Sequence, residues 1–115
     1  MIDFSCREPN VEDILRCSFA LSRTEYKILS ILASNPKRSF VASELALKMS
    51  LERTGAQKAL KSLLGKDLCL RKKCNLPDGG YTFCYSVSNP AKIRAMAKKS
   101  VSEWSRKAFR EISSW

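Results

Sequence analysis

The sequence contains no histidine and no closely spaced pair of cysteines, and both absences limit the chemistry that the chain can perform. Its five cysteines stand apart, at Cys6, Cys17, Cys69, Cys74 and Cys84. Structural zinc sites are built largely from Cys-x-x-Cys pairs and histidines, so we expect no metal site. A glycine-rich phosphate loop and an acidic cluster suited to a catalytic metal are also missing. We therefore expect no cofactor, no catalytic residues and no enzymatic activity.

Long apolar runs are missing as well. No run approaches the roughly 20 apolar residues that a membrane-spanning helix needs. The first ten residues, MIDFSCREPN, contain acidic residues and a proline where a secretory signal peptide would be apolar. These absences predict a soluble, cytoplasmic protein without a membrane partner. With 115 residues and 44% hydrophobic composition, the chain is long enough for one domain with its own core.

Negative charge is scarce and positive charge is abundant. The chain has 21 Lys and Arg against 11 Asp and Glu, which gives a formal net charge of +10. Such an excess on a small protein produces a positive potential over much of the surface and favours nucleic acid as a partner. A generally basic, solvated surface would give the same total, so the positions of the charges must decide between the two interpretations.

Local signals predict two helices in the first third of the chain. Asn10 can cap a short helix. Ser22 and Glu25 have the spacing of a capping box, which starts a second helix, and Asn35-Pro36 ends it. The segment Ser39-Phe40-Val41 that follows is too short to stand alone as a strand.

A pair of helices follows. Ser43 can begin the first, and the stretch 52–66 forms the second after a break at Ser50-Leu51. The second helix has an apolar stripe with helical spacing, which consists of Ala56, Ala59, Leu60, Leu63 and Leu64. The pattern indicates two short helices joined by a tight turn.

Alternating residues then predict a β-hairpin over about 68–87 and a final helix. Leu68 and Leu70 alternate with Cys69 and Arg71, and a second alternating segment follows a turn that contains a proline and paired glycines. Asn89-Pro90 opens the last helix, with Asn as cap and Pro at the first position.

The order helix, helix, helix, hairpin is that of a winged helix-turn-helix. The predicted fold class is mainly α with a small β-hairpin (α+β). Residues 1–88 form the winged helix-turn-helix domain with its N-terminal helix. Residues 89–115 form a long C-terminal helix, which we interpret as a dimerisation element.

Removing the apolar stripe from the helix at 52–66 leaves a face of five polar residues: Arg53, Thr54, Gln57, Lys58 and Lys61. Arg53 and Gln57 can offer paired hydrogen bonds to guanine and adenine, and Thr54 can add a hydroxyl or methyl contact. The two lysines supply charge to phosphates. For an isolated amphipathic helix, an ordinary solvated face is the alternative.

The hairpin adds a second basic element, Arg71-Lys72-Lys73, where a wing would meet the flanking backbone or minor groove. Ser43 and Tyr81 complete the predicted DNA-binding set. We expect a transcriptional regulator that binds double-stranded DNA sequence-specifically, with the helix at 52–66 in the major groove. The alternative is a winged-helix subunit that binds RNA or another protein, since fold alone does not decide function.

Several short motifs occur in a characteristic order between Arg16 and Tyr85. They are Arg16-Cys17 with Phe19 and Leu21, Glu44-Leu45-Ala46, Arg53-Thr54, Gln57-Lys58-Ala59-Leu60, Leu63-Leu64, Leu68, Gly79-Gly80-Tyr81 and Tyr85. This order resembles archaeal TrmB-like winged-helix regulators, relatives of the MarR group. The resemblance implies a recognition helix that begins near Arg53 and a wing around Gly79-Gly80.

Two positions depart from this family pattern. Gly55 replaces the usual threonine or serine, which removes a contact to a base or phosphate. Asp67 replaces the glycine that usually ends the recognition helix, but aspartate accepts left-handed geometry better than most residues. Larger TrmB regulators carry a sugar-binding domain after the winged helix. Here one more helix follows, so the resemblance implies no small-molecule effector.

The last helix carries one long apolar stripe, formed by Ile93, Ala97, Val101, Trp104, Ala108, Ile112 and Trp115. It could fold back on its own domain, but a helix approaching 40 Å, at about 1.5 Å per residue, would overhang so small a unit. We expect it to pair with a second subunit. Such a homodimer would place two recognition helices on successive major grooves, about 34 Å apart.

Cysteine roles can also be predicted. Cys17 and Cys69 lie within predicted elements, where an unpaired cysteine is usually a small buried hydrophobe. Redox sensing is the alternative. Cys74 follows Arg71-Lys72-Lys73, whose charges favour a thiolate, and is therefore the best candidate for a reactive thiol.

Overall fold

A computed structural model describes residues 8–115 as five helices and one three-stranded antiparallel sheet. The first seven residues lie outside the described residues. They include Cys6 and most of the segment MIDFSCREPN, which is not expected to be a signal peptide. The elements in chain order are α1 (Val11–Phe19), α2 (Arg23–Ser34), β1 (Phe40–Val41), α3 (Ala42–Lys48), α4 (Arg53–Gly65), β2 (Cys69–Asn75), β3 (Tyr81–Val87) and α5 (Pro90–Ser114). The predicted fold class and the long C-terminal helix are confirmed. None of the helices in this part of the chain is long and apolar enough to cross a membrane.

Three helix starts follow the capping signals. The side chain of Asn10 accepts a hydrogen bond from the backbone N–H of Asp13 (2.9 Å). Ser22 and Glu25 form the predicted reciprocal capping box. The side chain of Asn89 accepts from the first turn of α5. The start of α3 differs, because this helix begins one residue before Ser43 without a side-chain cap.

The sheet has one strand more than the predicted hairpin. Strand β3 lies between β1 and β2, with Phe40 opposite Tyr85 and Val41 opposite Cys84. The short segment that the sequence did not predict as a strand forms one because β3 offers it an unpaired edge. Leu70, an apolar member of the predicted alternation, is 57% exposed. Its neighbour Cys69 faces the core instead.

The core lies between α2, α3, α4 and the sheet. Its largest fully buried side chains are Ile28, Leu32, Phe40, Leu45, Leu60, Leu63 and Leu68. Burial of each such side chain contributes roughly 1.5–3 kcal/mol relative to exposure. The apolar side of α4 supplies two of these residues, so the orientation of this helix is tied to the core.

Helix α5 starts inside this core and then leaves it. Ile93 and Ala97 are each 7% exposed, and Ile93 belongs to the core cluster. The predicted place of these two residues in a subunit interface is therefore not supported, because they cover their own domain. The molecule measures 65 × 26 × 20 Å. Its radius of gyration of 17.3 Å exceeds the roughly 13 Å of a compact chain of this length.

The cysteines differ from the prediction in two places. Cys74 is bonded to Cys84 in a disulfide that joins β2 to β3, so the proposed reactive thiol at Cys74 is wrong. Cys17 is exposed, because it lies two positions from both Leu15 and Phe19 and so faces the opposite side of α1. Cys69 is buried as predicted, and burial raises the pKa of its thiol to about 11.

The end of α4 is fastened to the start of α2. Lys66 Nζ donates to the carbonyl of Ala20 (2.9 Å) and lies 3.7 Å from Glu25 Oε2. Burial raises the pKa of Glu25, but the Ser62 side chain, the hydrogen bond from the Ser22 N–H (2.9 Å) and the charge of Lys66 outweigh it, so this pKa lies below its ordinary value. The ionised carboxylate therefore stabilises the junction between the two helices.

Reduction of the disulfide between Cys74 and Cys84 should lower the free energy of unfolding by about 2–3 kcal/mol. The bond closes a short loop with a sequence separation of 10 and restricts the unfolded chain. Urea denaturation with and without a dithiol reductant measures this change. The double variant Cys74→Ser, Cys84→Ser is the control and should not respond to the reductant. An equal response in both proteins would contradict the prediction.

Substitution Glu25→Gln should flatten the loss of stability at acidic pH. Because the pKa of Glu25 is lower in the folded protein, its contribution is present above the unfolded value and is lost as the pH falls through the folded value. Urea denaturation between pH 3 and 7 would show a smaller decrease below about pH 4.5 than in the wild type. Glu111→Gln is the control, since it changes an exposed helix carboxylate that has no ion pair in residues 8–115. An equal loss of unfolding free energy at acidic pH in Glu25→Gln and the wild type would contradict this prediction.

Candidate nucleic-acid interface

The turn between α3 and α4 sets the direction of α4. Ser50 adopts a left-handed conformation (φ 53°), and the N–H of Leu51 donates to the carbonyl of Ala46 (2.8 Å). This bond closes the end of α3 within a few residues. Helix α4 then begins at Arg53, with Ala56 and Ala59 buried where it packs against the core. Small residues at these positions allow a close approach of the helices.

The predicted polar face of α4 is exposed along its length. Its members Arg53, Thr54, Gln57, Lys58 and Lys61 are all exposed. Within residues 8–115, none of its three cations lies within 4.0 Å of a carboxylate. The positive charge on this face is therefore uncompensated, and its hydrogen-bond donors are available to a ligand.

Gly55 lies between Thr54 and the buried Ala56. A side chain at this position would meet no atom within 4 Å. Its backbone φ is not in the left-handed region that requires glycine. The fold therefore accepts the threonine or serine of the family pattern at this position. With glycine, the polar face has one side chain fewer.

Asp67 ends this segment in the left-handed geometry that the sequence predicted. Its φ is 59°, and the N–H of Leu68 donates back to the carbonyl of Leu63 (3.0 Å). The hydroxyl of Ser88 donates to the carbonyl of Asp67 (2.9 Å). The end of α4 is thus tied to the point where the wing passes into α5.

Two cations of the wing are held over aromatic rings. The guanidinium of Arg71 lies 4.4 Å from the ring centre of Phe83, and the ammonium of Lys73 lies 4.5 Å from that of Tyr81. The two rings meet edge to face at 5.6 Å. Contacts of this kind favour a cation above a ring face. They align Arg71 and Lys73 on one face of the hairpin.

Lys72 does not join this group. Successive residues of a strand point to opposite faces, so Lys72 shares its face with Cys74 and Cys84. The predicted triplet Arg71-Lys72-Lys73 is therefore divided between the two faces of the wing. Tyr81 belongs to the predicted DNA-binding set and Phe83 does not, although the alternation of both rings along β3 places them on one face.

The tip of the wing is a tight turn. Gly79 and Gly80 have positive φ values of 94° and 77°, and the N–H of Leu76 donates to the carbonyl of Gly80 (3.1 Å).

Ser43 is exposed on α3, next to Glu44, whose carboxylate pairs with Arg38. Arg38 also stacks over Phe40. The charge of Arg38 is thus partly compensated, unlike the charges of the cations on α4.

The outer part of α5 exposes most of the predicted apolar stripe. Val101, Trp104 and Ile112 are 46%, 55% and 69% exposed, and Trp115 is fully exposed. Ala108 is partly buried. Phe109, which is not part of the predicted stripe, is also exposed and lies beside it. In residues 8–115, no group of three or more His, Cys, Asp or Glu could hold a metal ion.

Comparison with known proteins gives no matching family model. The uncharacterized protein MJ1503 of Methanocaldococcus jannaschii is 25% identical over 100 residues, which are 86% of this chain and 74% of that protein. This similarity extends over most of both chains, but it carries no stated activity.

Solved structures identify the fold. A possible transcriptional regulator from Methanosarcina mazei Go1 has 29% identity and a TM-score of 0.84, over 100% of this chain and 96% of that one. The ST1889 protein of Sulfolobus tokodaii has 24% identity and a TM-score of 0.72, over 84% and 93%. A mutant of S. aureus MepR, bound to an oligodeoxyribonucleotide, has 12% identity and a TM-score of 0.59, over 90% and 72%. The chain thus has the winged-helix fold found in transcriptional regulators.

Proposed function

We propose that this protein is a transcriptional regulator that binds double-stranded DNA in a sequence-specific manner. The observation that carries the proposal is the polar face of α4. This face is exposed and uncompensated by any carboxylate of residues 8–115, while the opposite face is buried in the core. A helix held in this way can enter the major groove as a rigid unit. The wing then meets the flanking backbone or minor groove.

The residue types on α4 indicate two kinds of DNA contact, to bases and to phosphates. Arg53 and Gln57 are the residues that read bases, since their side chains match the hydrogen-bonding edges of guanine and adenine. Thr54 lies beside them at the start of the helix. Lys58 and Lys61 neutralise phosphates, which adds affinity for every sequence. Ser43 on α3 donates to the backbone of the same half-site.

The wing supplies positioned charge. Arg71 and Lys73 lie over rings, which reduces the number of conformations that each side chain must give up on binding. Tyr81 is part of this arrangement. Lys72 lies on the other face, away from both rings, so we assign it a weaker role.

The comparisons support DNA as the ligand over RNA or protein. One similar structure is described as a possible transcriptional regulator and another was determined with an oligodeoxyribonucleotide. Together with the order of motifs, they favour a TrmB-like or MarR-like regulator. The exposed cationic face of α4 argues against a protein partner, and RNA is compared directly as a control ligand.

Substitutions Arg53→Ala and Gln57→Ala should each relax base preference at one position by about 1–3 kcal/mol, whereas Lys73→Ala should weaken all sequences alike. The preferred site is first selected from a random duplex library with the intact protein. Affinities for this duplex and its single-base variants are then measured at several salt concentrations. Equal effects of all three substitutions would refute the division between reading helix and positioning wing.

Structured RNA is the control ligand. Binding to the selected duplex should weaken steeply with salt because several cations meet phosphates. It should also be tighter than binding to an RNA hairpin of equal length. Equal or tighter binding to RNA, or a library that yields no preferred sequence, would overturn the proposed function.

We also propose a homodimer held by the outer part of α5. The exposed apolar residues Val101, Trp104, Ile112 and Trp115 and the partly buried Ala108 form its interface, with Trp104 and Trp115 as its large aromatic residues and Phe109 at the edge. Large aromatic residues commonly dominate such contacts. A contiguous apolar stripe of this length on a projecting helix is unusual for a monomer.

The double variant Val101→Glu, Ile112→Glu should sediment as a monomer at micromolar concentration, while the intact protein sediments as a dimer. Two carboxylates would have to be desolvated in the interface. The control Ala95→Glu, Ser102→Glu adds the same charge on the opposite side of α5 and should remain dimeric. In the variant Val101→Glu, Ile112→Glu, affinity for a duplex with two half-sites should fall more than affinity for a duplex with a single half-site. A monomeric intact protein would contradict the dimer.

A further inference from the structure

Half of the net charge of the protein lies outside the recognition helix and the wing. Helix α5 contains seven Lys and Arg but only two Glu, within a chain whose net charge is +10. The proposed contacts of α4 and the wing do not use these residues. Like charges on one helix repel one another, so such an excess favours an anionic partner.

Three of these cations form one row. Lys92, Lys99 and Arg106 are seven residues apart, close to two helical turns, and Arg110 continues the row one turn further. We call these four residues the basic stripe. It spans about 27 Å at 1.5 Å per residue. It lies on the side of α5 opposite the apolar stripe, which begins with Ile93 and Ala97.

The basic stripe is exposed and has no ionic partner in the described part of the chain. All four side chains are exposed. The ion pairs found in residues 8–115 involve Arg16, Arg38 and Lys66, and none involves the stripe. Glu103 lies between Lys99 and Arg106 on the same side, yet it is not within 4.0 Å of either cation. It lowers the local charge without holding a particular cation.

A helix that lies on a membrane has Lys and Arg on one face and large apolar residues on the other. In α5 the proposed dimer covers the apolar stripe, so the basic stripe is the face that remains for an anionic ligand. B-form DNA offers one charge per roughly 1.7 Å of axis, and a row of about 27 Å matches about eight base pairs. Charge and shape therefore both fit duplex DNA.

We propose that the basic stripe is a second DNA-binding surface, which contacts the phosphate backbone without reading sequence. It is separate from the recognition helix and the wing, because its cations belong to a different element. It is also compatible with the proposed dimer, since the apolar stripe faces the other way. The surface binds DNA that flanks the recognised site or a second duplex.

The test compares two triple variants of the full chain. Lys92→Gln, Lys99→Gln, Arg106→Gln removes three charges from the stripe. Arg94→Gln, Lys98→Gln, Lys107→Gln removes two lysines and one arginine from other faces of α5, so the two variants have the same net charge. Glutamine has a helix propensity close to that of lysine and arginine. Circular dichroism and sedimentation show whether both variants keep the fold and the subunit state.

Affinity for a random-sequence duplex is measured over a range of salt concentrations. The stripe variant should reduce the slope of log K against log salt by about 2–3, since each lost phosphate contact contributes roughly 0.9. The matched variant should reduce it by less than about 1. Equal reductions in both variants, or no reduction in the stripe variant, would overturn the proposal.

Two further measurements distinguish the stripe from the recognition helix and DNA from other anionic ligands. Base preference should be unchanged in the stripe variant, while Arg53→Ala, Gln57→Ala should lose preference and keep the slope supplied by the stripe. If the intact protein showed no base preference, the proposed function would be wrong. The change in salt slope would still test the basic stripe as a DNA-binding surface. Phosphatidylserine vesicles and duplex RNA are the competing ligands. If the stripe variant lost binding to either of these but not to duplex DNA, the stripe would not be a DNA surface.

Discussion

The structure depends on the burial of one side of α4. Ala56, Ala59, Leu60 and Leu63 are buried against the core, and this contact fixes the rotation of the helix about its own axis. A rotation by one residue would turn the polar face by about 100° and place charges in the core. The exposed position of Arg53 and Gln57 is therefore a consequence of packing on the other side.

The C-terminal end of α4 is held by contacts between residues that lie far apart in the sequence. Lys66 binds the junction of α1 and α2, and Ser88 binds the carbonyl of Asp67. These bonds connect the recognition helix to α2 on one side and to the base of the wing on the other. A displacement of α4 would break both, so helix and wing keep a fixed relative position.

Sequence predicted the features that depend on neighbouring residues. The caps at Asn10, Ser22 and Asn89, the left-handed Asp67 and the apolar side of α4 all arise within a few positions along the chain. The disulfide and the exposure of Leu70 depend instead on the register of β2 and β3, and the third strand depends on the free edge of β3. No local pattern specifies either. Cys17 differs from these, because its distance from Leu15 and Phe19 already places it on the outer side of α1.

Helix α5 shows how one element can carry several surfaces without competition. Its first turns bury Ile93 and Ala97 in the core, so the orientation of the whole helix is fixed relative to the recognition helix. Beyond these turns, the apolar and basic stripes point in opposite directions. A partner on the apolar stripe leaves the basic stripe exposed, and the pairing of two chains would bring two such stripes into one particle. Subunit assembly would then raise the number of phosphate contacts through α5 as well as through the two recognition helices.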